Sequence, residues 1–181
     1  MLLFGHIGIT TGIVKVSDIL AARVKHGGAG RISGLDYRLV FLGSLLPDII
    51  DKPVWLFSGN SASLSGRDYA HTLLFQLALL IGGAVMIRFG KPWLLVLSVA
   101  SFLHLVFDQM WRSPAALFWP LLGPLPKEER AGWISETFQV LFSRPEVYVP
   151  EIIGLVIVLL LAGRVASKKN VLSFIKAGVV K

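Results

Sequence analysis

Long apolar runs separated by short polar segments dominate the chain. The apolar runs are residues 2–24, 39–56, 72–87, 92–107 and 152–163. A transmembrane α-helix needs about 20 mostly apolar residues, and the last three runs contain no Asp, Glu, Lys or Arg. The pattern therefore predicts an all-α fold, a multi-pass transmembrane helix bundle of about five spans in a single integral membrane domain of residues 1–181.

Charged residues interrupt the first two runs. Lys15 and Asp18 lie within the first run at a spacing of three, which would make them neighbours on a helix and able to pair. Asp48, Asp51 and Lys52 lie near the end of the second run. The first run is either a span or a tilted, half-buried helix. We expect both interrupted runs to span the membrane.

Basic residues are distributed unequally between the two sides of the predicted bundle. With five spans and the N-terminus outside, one side holds eleven Lys and Arg residues and the other holds six. Positive residues concentrate on the cytoplasmic side of membrane proteins. The sequence therefore predicts an outside N-terminus and a cytoplasmic, basic C-terminal tail of about residues 164–181.

Composition narrows the possible classes of function. Of the 181 residues, 54% are hydrophobic and 16% are charged, which is more apolar than an ordinary soluble domain. The formal net charge is +7, but the basic residues lie between apolar runs rather than along one stripe with exposed aromatics. Nucleic acid is therefore not an expected partner. The chain has no cysteine, which excludes disulfides, zinc–thiolate sites and a thiol nucleophile.

Side chains able to bind metal converge on the outer side of this topology. They are His6, Asp48, Asp51, His71, His104 and Asp108. Ionisable residues at membrane depth are costly and usually mark a functional site. Three imidazoles and three carboxylates form a mixed nitrogen and oxygen set that suits Zn²⁺, with Mn²⁺ or Fe²⁺ as alternatives. The pattern predicts a site for one or two metal ions at the outer ends of the helices.

Each of these motifs also has a simpler interpretation. His104 and Asp108 lie at i and i+4, where they could bind one ion together or form only a hydrogen bond between helices. Asp48 and Asp51 lie at i and i+3, where a cation would relieve their repulsion. They could equally mark a solvated helix end. The metal interpretation depends on all six residues occurring together.

Three motifs in the first 120 residues carry a family resemblance. They are Gly43-Ser-Leu-Leu-Pro-Asp-Ile-Ile-Asp51, Arg67-x-x-x-His71-Thr-Leu-Leu and His104-Leu-Val-Phe-Asp108, preceded by an N-terminal histidine. This set resembles the family of inner-membrane, metal-dependent hydrolases and is distantly similar to zinc-dependent phospholipase C. The resemblance implies an inner-membrane location and a set of metal ligands, namely His6, Asp48, His71, His104 and Asp108. The phospholipase pattern continues with further His and Glu ligands, whereas no histidine follows His104 here. A three-zinc cluster is therefore not expected.

Together these observations predict a membrane-bound, metal-dependent hydrolase that acts at the outer membrane–water interface. The metal would activate water for attack on a phosphoester, either in a lipid headgroup or in a small molecule. Asp51 is the candidate acceptor of the water's proton. Arg67 and Arg112 are candidates to bind an anionic oxygen of the substrate, unless they are interfacial arginines that only extend to the surface.

Two non-enzymatic functions are the alternatives. The first is a metal- or ion-handling membrane protein, such as a transporter component. Transport needs polar residues along a path through the bilayer, whereas the third to fifth runs contain no charge. This disfavours a pore within one chain and leaves an oligomeric pore open. The second is an interaction protein that keeps the site for structure, with a basic tail that binds anionic lipid.

Overall fold

The structure is a computed structural model that describes residues 1–24, 35–57, 65–126, 133–167 and 171–178. All regular secondary structure within these ranges is helical, as the sequence predicts. The helices are α1 (Leu3–Val24), α2 (Tyr37–Phe57), α3 (Leu73–Arg88), α4 (Trp93–Phe107), α5 (Pro114–Leu117), α6 (Trp133–Ser143), α7 (Pro145–Ser167) and α8 (Val171–Ala177). A short 3-10 helix, Met110–Arg112, lies between α4 and α5.

The five long helices, α1 to α4 and α7, coincide with the five predicted apolar runs. Within the described residues, two stretches are long and apolar enough to cross a membrane, Leu3–Leu20 in α1 and Pro145–Ala166 in α7. α3 and α4 are apolar but have 16 and 15 residues, or about 24 and 22 Å at the helical rise per residue. That is shorter than a hydrocarbon core of about 30 Å. The structure supports two spanning helices, and the count of five spans stays a prediction.

Glycines allow α1 and α7 to pack closely. A Cβ atom added at Gly8 would overlap the backbone of Gly154, and one added at Gly154 would overlap the backbone of Phe4 and Gly5. Small residues at helix interfaces in membranes let the two backbones approach in this way. This contact fixes the position of the first turns of α1, which carry His6, against α7.

Glu151 of α7 binds the beginning of α1. Its carboxylate accepts the backbone N–H groups of Leu2, Phe4 and Gly5 at 2.6, 2.9 and 3.0 Å. The first N–H groups of a helix have no partner within the helix, and an acidic side chain there also interacts favourably with the helix dipole. Glu151, 8% exposed, therefore caps α1 from a neighbouring helix.

The other end of the bundle joins α2 to the C-terminal helix. The Arg38 guanidinium donates to the Ile175 carbonyl at 2.6 Å, and the Tyr37 N–H donates to the Gly178 carbonyl at 2.9 Å. The hydrogen bond from Arg38 lowers the pKa of the Asp36 carboxyl below its usual range, against partial burial that raises it. Residues 25–34, 168–170 and 179–181 lie outside the described residues, so much of the predicted cytoplasmic charge stays a sequence prediction.

Candidate metal centre

Four helices bring the predicted ligands to one end of the bundle. His6 lies in the first turn of α1, and Asp48 and Asp51 lie in the C-terminal half of α2. His71 precedes Thr72, whose side chain caps α3 by accepting the Phe75 N–H. The last two ligands, His104 and Asp108, occupy the end of α4. All three histidines are fully buried, so the structure brings all six residues together within the protein.

His71 and His104 face each other at the centre of this cluster, with their Nε2 atoms 3.3 Å apart. Nδ1 of His104 lies 2.7 Å from the Ser44 carbonyl oxygen, and Nδ1 of His71 lies 2.8 Å from Oδ2 of Asp51. Both partners are acceptors, so both Nδ1 atoms donate, and Nε2 of each ring is the nitrogen that can offer a lone pair to a metal ion. Oδ1 of Asp48 lies 3.7 and 3.8 Å from these two atoms. Three electron-pair donors thus surround one small space.

His6 and Asp108 form the other side of the cluster. Nε2 of His6 lies 3.0 Å from Oδ1 of Asp108, and its ring stacks on the His104 ring at 3.9 Å between centroids. Oδ2 of Asp108 lies 3.8 Å from Nε2 of His104. Burial raises the pKa of the Asp108 carboxyl, but the His6 hydrogen bond and the positive charges of the Met1 amine and Arg67 together hold that pKa below its usual range. Asp108 is therefore a carboxylate near neutral pH.

Asp51 is occupied by the segment that leads into α3. Its carboxylate accepts the backbone N–H groups of Asp68, Ala70 and His71 at 2.8 to 3.2 Å, in addition to Nδ1–H of His71. The side chain is fully buried. These contacts fix the orientation of His71 in the way that carboxylates position metal-binding histidines, and they occupy most of the acceptor positions of the Asp51 oxygens.

Asp68 also binds the segment that leads into α3. Its carboxylate accepts the backbone N–H groups of Ser65 and Gly66 at 2.9 and 3.0 Å. Burial and the nearby Asp51 carboxylate raise the pKa of the Asp68 carboxyl, against these hydrogen bonds, which lower it. The segment before α3 is therefore held by two buried carboxylates, of which only Asp51 contacts a histidine among the described residues.

The two arginines predicted to bind substrate lie in different surroundings. Nε of Arg67 is 3.5 Å from Oδ2 of Asp108, and its side chain is 46% exposed. The Arg112 side chain is exposed, and no carboxylate of the described residues lies within ion-pair distance of it. Lys52, which the sequence analysis did not assign to the site, donates to Asp48 at 2.7 Å. The structure thus places Arg67 and Lys52, but not Arg112, against the cluster.

A cavity of about 470 Å³ opens onto the cluster. Asp48 and Asp108 lie at its base, and Lys52 and Arg67 line its wall. The amphipathic helix α6 covers the cavity with one face, formed by Trp133, Glu136, Thr137 and Val140. The opposite face of α6 exposes Ile134, Phe138 and Phe142. Helices with one polar and one exposed apolar face are typical of membrane surfaces.

The donor set fits a divalent cation. Two sets of three residues have ligand atoms within 4.8 Å of one another, His6–His104–Asp108 and Asp48–His71–His104. Two imidazole nitrogens on one tetrahedral zinc ion lie about 3.3 Å apart, given Zn–N bonds of about 2.05 Å, as the Nε2 atoms do here. His104 is common to both sets, and its one Nε2 lone pair serves one ion at a time. This arrangement therefore suits a single ion better than two.

The fold and this cluster define a class, a helical membrane protein with a buried histidine–aspartate centre at one end of its bundle. The chain belongs to the YdjM inner membrane protein family, whose family model matches residues 1–176. Membership agrees with the inner-membrane location implied by the resemblance in sequence. No curated protein and no solved structure matches the chain. Hydrolase activity and the similarity to phospholipase C stay predictions.

Proposed function

We propose that the protein is a membrane-bound, metal-dependent hydrolase. The observation that carries the proposal is the pair of buried imidazole nitrogens, His71 Nε2 and His104 Nε2, that face each other at 3.3 Å. Both rings are oriented by acceptors on Nδ1, so in two neutral rings both Nε2 atoms are acceptors and form no hydrogen bond with each other. A divalent cation between them, most favourably Zn²⁺, stabilises this arrangement.

Each residue of the centre has a distinct task in this proposal. His71, His104 and Asp48 hold the ion. His6 and Asp108 either add further ligands to the same ion or replace one of these three. When bound, the ion supplies Lewis-acid polarisation of the scissile group and a lower pKa for a coordinated water. Asp51 acts as a positioning residue for His71 rather than as the acceptor of the water's proton.

Asp48, Asp108 and Glu136 line the cavity, whereas the Asp51 oxygens accept four N–H groups. A proton acceptor has to lie within hydrogen-bond reach of the attacking water. We therefore assign the acceptor role to Asp108, because it lines the cavity next to the histidines and Asp48 holds the ion in this proposal.

A phosphoester is the substrate class that the cavity favours. Lys52 and Arg67 place two positive charges along its wall, where they can bind phosphate oxygens. α6 covers the cavity with its apolar face outward, so a lipid headgroup could enter from the membrane surface. A soluble phosphoester remains the second candidate, because the cavity is large enough for either.

The proposed topology has five spans, an outside N-terminus and a cytoplasmic C-terminus. It rests on the asymmetry of basic residues and puts the histidine–aspartate cluster at the outer face. The short helices α3 and α4 would then need local thinning of the bilayer. Reporter fusions or cysteine labelling, in a chain that has no native cysteine, would test both the orientation and the number of spans.

Metal content and hydrolysis together test the function. The detergent-purified chain should contain about one zinc ion per chain and should cleave phosphodiester substrates, and His104→Ala should lose both properties. Glu146→Gln, which changes an exposed carboxylate at the start of α7, is the matched control and should retain both. A metal-free protein after zinc loading would overturn the proposal. Bound zinc without hydrolysis of any phosphoester would instead favour the metal-handling alternative.

A further inference from the structure

A second cavity lies on the side of the bundle away from the histidine–aspartate cluster. It has a volume of about 760 Å³ and runs between α1, α7 and the start of α2. Apolar side chains form most of its wall, namely Ile9, Ile13, Val16, Ile153, Ile157 and Leu161. Because α1 and α7 are the helices of the described residues that are long and apolar enough to cross a membrane, we expect this groove to face hydrocarbon over most of its length.

One end of the groove is positively charged. Lys15 and Arg164 both line it. Lys15 lies nine residues after His6, which places it about 13 Å further along α1. Its Nζ atom lies 5.7 Å from the centre of the Tyr37 ring. The ion pair with Asp18 that the sequence suggested is not formed, and no carboxylate of another described residue lies within 4.0 Å of Lys15 Nζ.

Tyr37 supplies an independent sign of a missing partner. It lines the groove and is 3% exposed. Its hydroxyl is buried and has no hydrogen-bond partner among the described residues. Buried polar groups are nearly always hydrogen-bonded, so this hydroxyl is a donor that an oxygen atom of a bound ligand could satisfy.

We propose that this groove binds an anionic phospholipid from the leaflet opposite the histidine–aspartate cluster. Its acyl chains lie along the apolar wall, and its phosphate pairs with Lys15 and Arg164 and accepts a hydrogen bond from the Tyr37 hydroxyl. Basic residues at the membrane surface prefer anionic headgroups, and the long Lys and Arg side chains can reach toward them. The site does not depend on the metal centre or on the proposed hydrolase activity.

Native mass spectrometry of the full chain, purified in detergent and delipidated, tests this proposal. Phosphatidylglycerol and phosphatidylcholine are added separately, and the lipid that stays bound is measured. Wild-type protein should retain phosphatidylglycerol at least about tenfold better than phosphatidylcholine. Lys15→Met should reduce phosphatidylglycerol binding by about fivefold to tenfold, and Lys91→Met, which changes a cation in the turn between α3 and α4, should not.

Tyr37→Phe keeps the ring and removes only the hydroxyl, so it separates loss of folding from loss of the ligand contact. We expect it to weaken phosphatidylglycerol binding by about threefold and to leave phosphatidylcholine binding unchanged. Equal retention of the two lipids would overturn the proposal. So would unchanged phosphatidylglycerol binding by both variants, or a lipid-free dimer whose contact covers the groove.

Discussion

Replacing Asp51 by asparagine distinguishes the two roles that this carboxylate could have in the proposed site. The wild-type side chain accepts the backbone N–H groups of Asp68, Ala70 and His71 and the Nδ1–H of His71. An asparagine of nearly the same volume keeps one acceptor oxygen and loses the negative charge. Its amide NH₂ group would face at least one of these donors.

The magnitude follows from these four contacts. A charge-assisted hydrogen bond contributes about 1.5–3 kcal/mol, and a buried donor left without an acceptor costs about 1–3 kcal/mol. Since Oδ2 makes most of the contacts, the amide can keep several of them in weakened form. We expect a loss of about 3 kcal/mol in unfolding free energy, or roughly 6–10 °C in melting temperature for a chain of this size.

The assay compares metal affinity with stability. Loss of the hydrogen-bond partner of a metal-binding histidine weakens metal affinity by about tenfold to a hundredfold, so Asp51→Asn should bind zinc that much more weakly by competition with a chelating dye. Asp68→Asn is the control, because Asp68 holds the same segment through Ser65 and Gly66. It should lower the melting temperature but leave zinc affinity nearly unchanged.

One result would refute this reasoning. If Asp51→Asn bound zinc as tightly as wild type and lost only hydrolysis, Asp51 would be the proton acceptor that the sequence first suggested. The positioning role inferred from its contacts would then be wrong.

Three further predictions test the elements that hold the site. Gly154→Ala should lower the unfolding free energy by about 3 kcal/mol or prevent folding, because its Cβ would overlap the backbone of Phe4. Gly163→Ala is the control, since a Cβ there meets no atom within 4 Å. It should elute from size-exclusion chromatography as the wild-type protein does. Glu151→Gln should cost about 1–2 kcal/mol in thermal unfolding, because a neutral amide replaces the carboxylate that accepts the first N–H groups of α1; unchanged stability would contradict the capping role. Removal of zinc by a chelator should lower the melting temperature, since a ligand at a hundredfold its Kd stabilises the native state by about 2.7 kcal/mol, and a variant lacking His104 should show no such shift.

The candidate site could be predicted in outline because helix geometry acts locally. The spacing of His104 and Asp108 places both at the end of one helix. Successive apolar runs cross the bundle in opposite directions, so the start of α1 and the ends of α2 and α4 are predicted to lie on the same side. The same local logic could not separate Asp48 from Asp51. Both lie on α2 three residues apart, yet only Asp48 lines the cavity, while Asp51 accepts N–H groups from residues 68–71.

Long-range contacts also decided which of the other charged residues reach the site. Arg67 and Arg112 are both arginines, and each lies close in sequence to a candidate metal ligand. In the structure only Arg67 of the two approaches Asp108. Glu151 lies 146 to 149 residues from the residues whose N–H groups it accepts, so no local pattern could assign that role. Lys52 binds Asp48 one turn away, a contact that its i, i+4 spacing could have predicted.

The sequence by itself determined that the chain is all-α and membrane-embedded, because the lengths and charges of its apolar runs depend only on local composition and on the cost of placing charge in hydrocarbon. It also determined which residue types could form a metal site. The tertiary structure alone decided which of them line the cavity, which hold a neighbour in place and which stay at the surface. Those distinctions depend on packing between helices distant in sequence, such as the glycine contact of α1 with α7, and on the demand that every buried N–H group find an acceptor.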